Sequence, residues 1–235
     1  MNNLELKTRL IDILNRGDDV SDTEIQYFIN SAIRILEKWN IFRGMEDSTT
    51  LTLEGITNKF CYSSLPSDFK KFKHIHQLTP EFLSFIQLLE TDEAYNIYHT
   101  IDTSTTILPD FEAIAIVDNN AIFFPGTSVS SINSIENPNT FNLVYDKFMT
   151  ELSADGDENY FTIHAPELII QMASIIAYVE KLNEYDTAQT KFNLLSPMIT
   201  TFVSSEYGDN ISKSTLSMGE LMRAIKALNS SSTGQ

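Results

Sequence analysis

His74 and His76, one residue apart, are the first candidates for chemistry in this chain. On a strand, residues i and i+2 share a face, so both imidazoles would point the same way. A zinc site needs at least one further ligand in the right geometry. Cys61 is the single thiol, and nothing in the sequence fixes it nearby. Two ordinary strand histidines are the plainer reading. Asp155, Asp157 and Asn159 imitate the opening ligands of a calcium loop. Its required glycine falls on Tyr160 and its bidentate glutamate on Pro166, so the EF-hand fails and a solvated acidic loop is expected. His164 with Glu167, and Glu180 with Glu184, can be written as acid–base pairs. No nucleophile or pocket motif accompanies them, and charge on a helix surface is the alternative. Lys70, Lys71 and Lys73, with Phe69 and Phe72, suggest a nucleic-acid patch. In so acidic a chain, a solvated face or a protein contact is the competing reading. There is no Gly-rich phosphate loop and no G-x-S-x-G elbow. The chain is therefore expected to be no enzyme, with no catalytic residues, no cofactor and no metal ion.

The chain has 235 residues, 42% of them hydrophobic, which supports a real core in one large domain or two small ones. Its formal net charge is −16. Gripping phosphates needs clustered Lys and Arg, so the charge argues against a nucleic-acid-binding groove. A surface past which DNA slides without sticking is not. One cysteine permits no internal disulfide. The N-terminus, Met1-Asn2-Asn3-Leu4-Glu5, lacks a basic region followed by an apolar run. No stretch approaches the roughly 18 apolar residues of a membrane span. A soluble protein without a secretory signal or membrane contact is expected.

The elements that would position any site are helical at both ends. Leu4 to Asn15 reads as a short helix with Leu6, Leu10, Ile13 and Leu14 inward. Ser21 and Glu24 form a capping box. Ile25, Phe28, Ile29, Ala32, Ile33, Leu36 and Trp39 follow at helical spacing. Ile163 to Glu206 reads as one long amphipathic helix, or two in line. Leu168, Ile169, Met172, Ile175, Ile176, Val179 and Leu182 make its first apolar face. Pro166 suits a first helical turn. Asn183 to Asp186 breaks the run, which resumes at Ala188, Phe192, Leu195, Ile199, Phe202 and Val203. Pro197 is expected to kink or divide this second part. The helical hairpin should pack against the helix that begins at Ser21.

Between them the texture changes. Thr49 to Leu53 is β-like, and Lys59 to Tyr62 could pair with it. Leu65-Pro66-Ser67-Asp68-Phe69 reads as a turn. Phe72 to Leu78 and Thr140 to Met149 read as strands. Ala113 to Val117 and Ala121 to Phe124 flank Asp118-Asn119-Asn120, a hairpin signal. Thr79-Pro80-Glu81-Phe82 reads as a helix start, with Thr79 as cap and Phe82, Phe85, Ile86 and Leu89 inward. The expected fold class is α+β. A helical-hairpin or bundle core (1–44 and 160–206) carries a β-rich insertion (45–159) in one domain over 1–206. A linker and C-terminal arm occupy 207–235. In the arm, Ser217 and Glu220 form a second capping box. Met218, Leu221, Met222, Ile225 and Leu228 form an apolar face with no evident place in the core. Some thirteen residues make a marginal helix alone. The arm is therefore expected to be loosely held in the free chain and to bind a partner through those five residues, the alternative being that it folds back onto its own domain.

Several of these pieces, taken in order, resemble the head–tail adaptor (connector) proteins of tailed bacteriophages, which sit beneath the portal. They are the helix Ser21 to Asn30 with Ala32, Ile33, Arg34 and Trp39, and the turn Leu65-Pro66-Ser67-Asp68-Phe69, similar to the family's L-P-x-D-F. The hairpin Ile116 to Pro125 follows, then Leu143-Val144-Tyr145 before an acidic loop. Last comes Pro166-Glu167-Leu168, leading to Ala173, Ala177, Glu180, Asp186 and Ala188. The resemblance spans about Leu10 to Glu206. The tail after Glu206 and the helical texture of Thr79–Thr100 depart from the family's pattern.

The resemblance implies a structural virion protein at the neck, assembled in the host cytoplasm. It implies a ring, usually dodecameric, that docks below the portal protein and extends its DNA channel. That ring offers a surface to tail or further adaptor proteins, and double-stranded DNA passes through without specific binding. Two other classes compete with it. One is a non-viral or other phage interaction module without catalysis. The other is a hydrolase or metal-dependent enzyme whose site is not legible.

Overall fold

The computed structural model describes residues 1–15, 19–39, 42–52, 55–56, 61–79, 87–89, 113–117, 119–124, 140–207 and 216–232. The fold is mixed α+β, and the chain divides into two compact units. One joins Met1–Met45 to Phe148–Gln235, and the other is Glu46–Lys147. The excursion between the helical ends thus closes at Lys147. The segment after it bonds to the helices instead. The Met149 amide donates to Glu37, and the Leu152 amide donates to Asn30 Oδ1 at 3.1 Å.

In the helical unit, α1 (Asn3–Leu14) opens on a capping box between Asn2 and Glu5 and closes at Asn15, with φ 50°. Asn tolerates that left-handed conformation at a helix end. Helix α2 (Asp22–Trp39) starts at the expected Ser21–Glu24 box: the Glu24 amide donates to Ser21 Oγ, and the Ser21 amide donates to Glu24 Oε2 at 2.8 Å. Its apolar stripe is buried from Ile25 to Leu36. The stretch beginning at Ile163 is divided earlier than its periodicity implies. A short helix α3 (Tyr160–His164), capped by Asn159, ends at Ala165 before α4 (Pro166–Glu180) begins. Ala165 sits at φ −142°, ψ 46°. A proline pushes its predecessor out of the helical region, which accounts for the break.

Helix α4 is buried along nearly its whole length rather than on one stripe, because α1, α2 and α5 all pack on it. Its chain leaves through Asn183, at φ 55°, and enters α5 (Tyr185–Tyr207). Pro197 lies inside α5, which continues through it undivided. Proline costs the helix one amide, and the Thr201 hydroxyl donates to the Pro197 carbonyl at 2.9 Å. Within the hairpin α4 packs on α2, as their two stripes require, and α5 packs on α4. The last helix, α6 (Met218–Ser232), packs on α2 in the same core.

The other unit holds two sheets. One has the order β1 (Glu46–Thr52), β8 (Thr140–Lys147), β4 (Phe69–Thr79), all antiparallel. The second runs β2 (Gly55–Ile56), β3 (Cys61–Ser64), β7 (Asn120–Phe124), β6 (Ala113–Val117), β5 (Gln87–Leu88). The expected pairing of Thr49–Leu53 with Lys59–Tyr62 does not form: β1 lies on β8, with Leu51 opposite Phe141, and β3 lies between β2 and β7. β8 buries Phe141, Leu143 and Tyr145, so it takes the centre of its sheet and needs a neighbour on each side. The turn Leu65–Phe69 is present, closed by the Phe69 amide on the Pro66 carbonyl at 3.0 Å. The β6–β7 hairpin turns through Asn119 at φ 63°, a left-handed position that asparagine accepts.

Thr79, read as a helix cap, is the last residue of β4, and Gln87–Leu88 pairs in parallel with β6. The Leu89 amide continues that ladder to Ile114 O at 2.9 Å. The remainder of that expected helix lies outside the described residues. So do Lys59, Phe60 and the linker 208–215.

Candidate functional site

Several of the residues singled out for chemistry hold structural roles instead. His74 is exposed on β4. The backbone of His76 follows it in unbroken register, opposite Asn142. Cys61 belongs to the other sheet, opposite Phe123. Among the described residues, no group of three or more His, Cys, Asp or Glu side chains could hold a metal ion.

The calcium-like trio is consumed by its own loop and neighbours. Asp157 accepts the amides of Ser153 and Ala154, both at 2.7 Å, and these bonds hold its carboxyl below the usual range. Asp155 pairs with Lys7 at 3.1 Å, and Asn159 caps α3 through the Thr162 amide at 3.2 Å. The loop also ties down the N-terminus, since the amides of Asn3 and Leu4 donate to Asp157 O and Asp155 O, each at 3.0 Å.

The supposed acid–base pair His164 and Glu167 is separated. His164 lies against the Tyr160 ring, with centroids 4.6 Å apart, and Glu167 pairs with Arg9. Glu184 accepts the Thr187 hydroxyl at 3.2 Å, an N-terminal contact of α5. Of the lysine patch, Lys73 is directed to the chain's own carboxylates. Lys73 pairs with Glu46 and lies 3.5 Å from Asp146. The Glu46 carboxyl is lowered chiefly by its hydrogen bond to Lys73, and the Lys73 ammonium is raised by the same bond.

An open groove of about 440 Å³ runs along α2, lined in part by Gln26, Asn30, Arg34, Glu151 and Ser153. Several of its polar groups are already committed: Gln26 and Asn30 amide nitrogens donate to the Leu152 carbonyl at 3.0 Å, and Arg34 pairs with Glu151.

The C-terminal arm corrects an expectation. Its helix is capped as read: the Ser217 amide and hydroxyl both donate to Glu220 at 2.8 Å, and the former holds that carboxyl below its usual range. Yet its apolar face has a place in the chain's own core. Leu221 is 0% and Ile225 1% exposed, and Met218 and Met222 pack partly buried beside them. The side chain of Leu228 lies outside the described residues. α2 broadens the apolar surface that fifteen residues of helix need, which local periodicity does not reveal. As partner-binding residues, these could act only if the arm left α2.

No sequence motif marks the outer side of α5, where Leu194 is 62% exposed and Tyr185 is also exposed. Comparison with protein-family models and with curated proteins finds no match for this chain.

Proposed function

We propose that this chain is a structural ring protein of the head–tail junction of a tailed phage. It would dock beneath the portal, extend the DNA channel, and offer its lower surface to tail or further adaptor proteins. The observation that carries the reading is the order of the described elements. A capped helix (α2), the L-P-S-D-F turn, a hairpin through Asn119, a strand with Leu143-Val144-Tyr145, and the helical pair after Pro166 follow one another as in the resemblance. Two physical points support it. The candidate carboxylates Asp155, Asp157, Glu167 and Glu184 are engaged in loop bonds, capping contacts and ion pairs, which suits a scaffold. A net charge of −16 suits a wall that DNA passes without adhering. Ring copy number, twelve in the resembling family, and the neck location belong to the same proposal.

The test is direct imaging of the purified chain mixed with portal rings. Added density forming a ring on one portal face supports the reading. Free chain beside unaltered portals, at concentrations well above micromolar, would sink it.

A further inference from the structure

We propose that Asp155–Gly156 is a self-modifying site, at which the chain passes to isoaspartate and frees the start of α1 from its loop. This is the one Asp-Gly or Asn-Gly pair in the sequence. The reaction needs the amide nitrogen of the following residue to reach the aspartyl side chain. A residue without a Cβ obstructs that approach least. Both residues are exposed, in the turn before α3, and the Asp155 side chain is 64% exposed. Among the described residues the Gly156 amide has no hydrogen-bond partner, whereas the Asp157 amide beside it donates to the Ala154 carbonyl at 3.1 Å. A Cβ on Gly156 would meet nothing within 4 Å. The nitrogen that must attack is thus uncommitted, in open surroundings.

In the first step the Gly156 nitrogen attacks Asp155 Cγ. A C–N bond forms, and the carboxyl hydroxyl leaves as water with the amide proton. Water then opens the five-membered succinimide. Opening at the side-chain carbonyl restores aspartate. Opening at the main-chain carbonyl leaves isoaspartate, with mass unchanged and the chain now running through the former side chain, one methylene longer.

The start of α1 is tied to the residues on both sides of this bond. The Leu4 and Asn3 amides donate to Asp155 O and Asp157 O, each at 3.0 Å. Asn3 Nδ2 donates to Ala154 O at 3.1 Å, and Lys7 pairs with Asp155 at 3.1 Å. In isoaspartate the carbonyl that Leu4 uses becomes a carboxylate off the main chain. The carboxylate that Lys7 uses becomes a peptide carbonyl, and the extra methylene displaces Asp157 from Ala154. Asn3 and Leu6 are fully buried, so loosening these ties opens the first turn of α1 from its seat. The same ties restrain the loop, so the folded chain should react more slowly than a free peptide of its sequence. None of this depends on the ring reading.

The test ages the full chain at body temperature and neutral pH over weeks, beside a peptide spanning Ser153–Glu158. Isoaspartate is located by electron-transfer fragmentation of digests. It is counted by methyl transfer from S-adenosylmethionine with an isoaspartyl methyltransferase. Isoaspartate should appear at residue 155 before any other position. Gly156→Ala, at an open site whose φ is outside the left-handed region, should slow it tenfold or more. Asp155→Glu, which cannot close a five-membered ring, should do the same if the alanine variant fails to fold. In the modified fraction, hydrogen exchange at the Asn3 and Leu4 amides should quicken tenfold or more, while Ile29 and Ile33 on α2 keep their protection. A chain that stays unmodified at residue 155 while the peptide reacts overturns the proposal, as does a Gly156→Ala chain that reacts as fast as wild type. Isoaspartate with unchanged exchange at Leu4 overturns the release of α1.

Discussion

Gly44→Ala should destabilise the helical unit, although the same change at an open site would stabilise it. Gly44 lies in a short 3-10 turn, Arg43–Met45, and its φ is outside the left-handed region. Backbone conformation therefore does not forbid alanine. On that ground alone, the stiffer unfolded chain would bring about 0.4–1 kcal/mol of stability. Space decides otherwise. A Cβ on Gly44 would lie 1.9 Å from Tyr160 Cδ2 and 2.1 Å from Cγ. Carbon atoms in contact prefer about 3.5–4.0 Å. Cγ is the root of the ring, so a small swing of the phenol does not clear the clash. The ring is also hemmed in by Phe161 and His164, with centroids at 5.8 and 4.6 Å. Overpacking of this kind costs about 1–3 kcal/mol, which exceeds the entropic gain. A net loss of about 1–2 kcal/mol follows, worth a few degrees in Tm for a chain of this size. Urea denaturation followed by far-UV circular dichroism measures it. The double variant Gly44→Ala, Tyr160→Ala should lose most of the glycine effect, a coupling of about 1 kcal/mol or more. A Gly44→Ala protein with an unchanged or raised midpoint would refute the steric argument.

Leu36→Ala, at a fully buried position on α2, should cost about 2–5 kcal/mol, read as a lowered urea midpoint. Deleting residues after Tyr207 should lower Tm, because Leu221 and Ile225 leave the core with the arm; an unchanged melt would show that α6 does not hold its seat on α2. Glu24 is lowered from 4.5 to about 2, first by its hydrogen bond to Lys181 and then by those to Ser21. Since the folded value lies below the unfolded one, its contribution is present at neutral pH and lost as pH falls from about 4.5 to about 2. Lys181→Met should raise the Glu24 midpoint, measured by carboxyl NMR titration, and no movement would discount the 2.6 Å contact.

What could be read from the chain beforehand was what local spacing determines. The Ser21–Glu24 and Ser217–Glu220 boxes, the Asn119 hairpin, the Pro66 turn and the break near Asn183 each depend on residues within a few positions. The stripes of α2 and α4 were legible for the same reason, since helical periodicity reports burial. Strand partnership was not. β1 sits on β8, nearly a hundred residues later, and nothing in Thr49–Leu53 states which strand it will meet. Gln87–Leu88 was read as helix because an apolar run of that length fits either period. The arm was misjudged because an apolar stripe shows that a helix must dock, not on what. The candidate site was poorly legible throughout. Carboxylates that cap loops and carboxylates that ligate metals look alike in sequence, and only the Ser153 and Ala154 amides on Asp157 separate them.

The helical unit is discontinuous, with its first two helices separated from α4 by the whole of Glu46–Lys147. During synthesis this imposes an order of events. When α2 is complete, the partner for its Ile29, Ile33 and Leu36 does not yet exist, and about 140 residues must be added before α4 is finished. At about 5–20 residues per second, that interval is roughly 7–28 s. The β unit, whose residues are contiguous, can fold within it. Meanwhile the nascent chain carries an amphipathic helix with its apolar side uncovered. That interval is a natural window for chaperones, or for premature pairing with a neighbouring nascent chain. In a circular permutant beginning at Phe148, α4 and α5 are made before α1 and α2, so α2 would find its partner already present when it is complete.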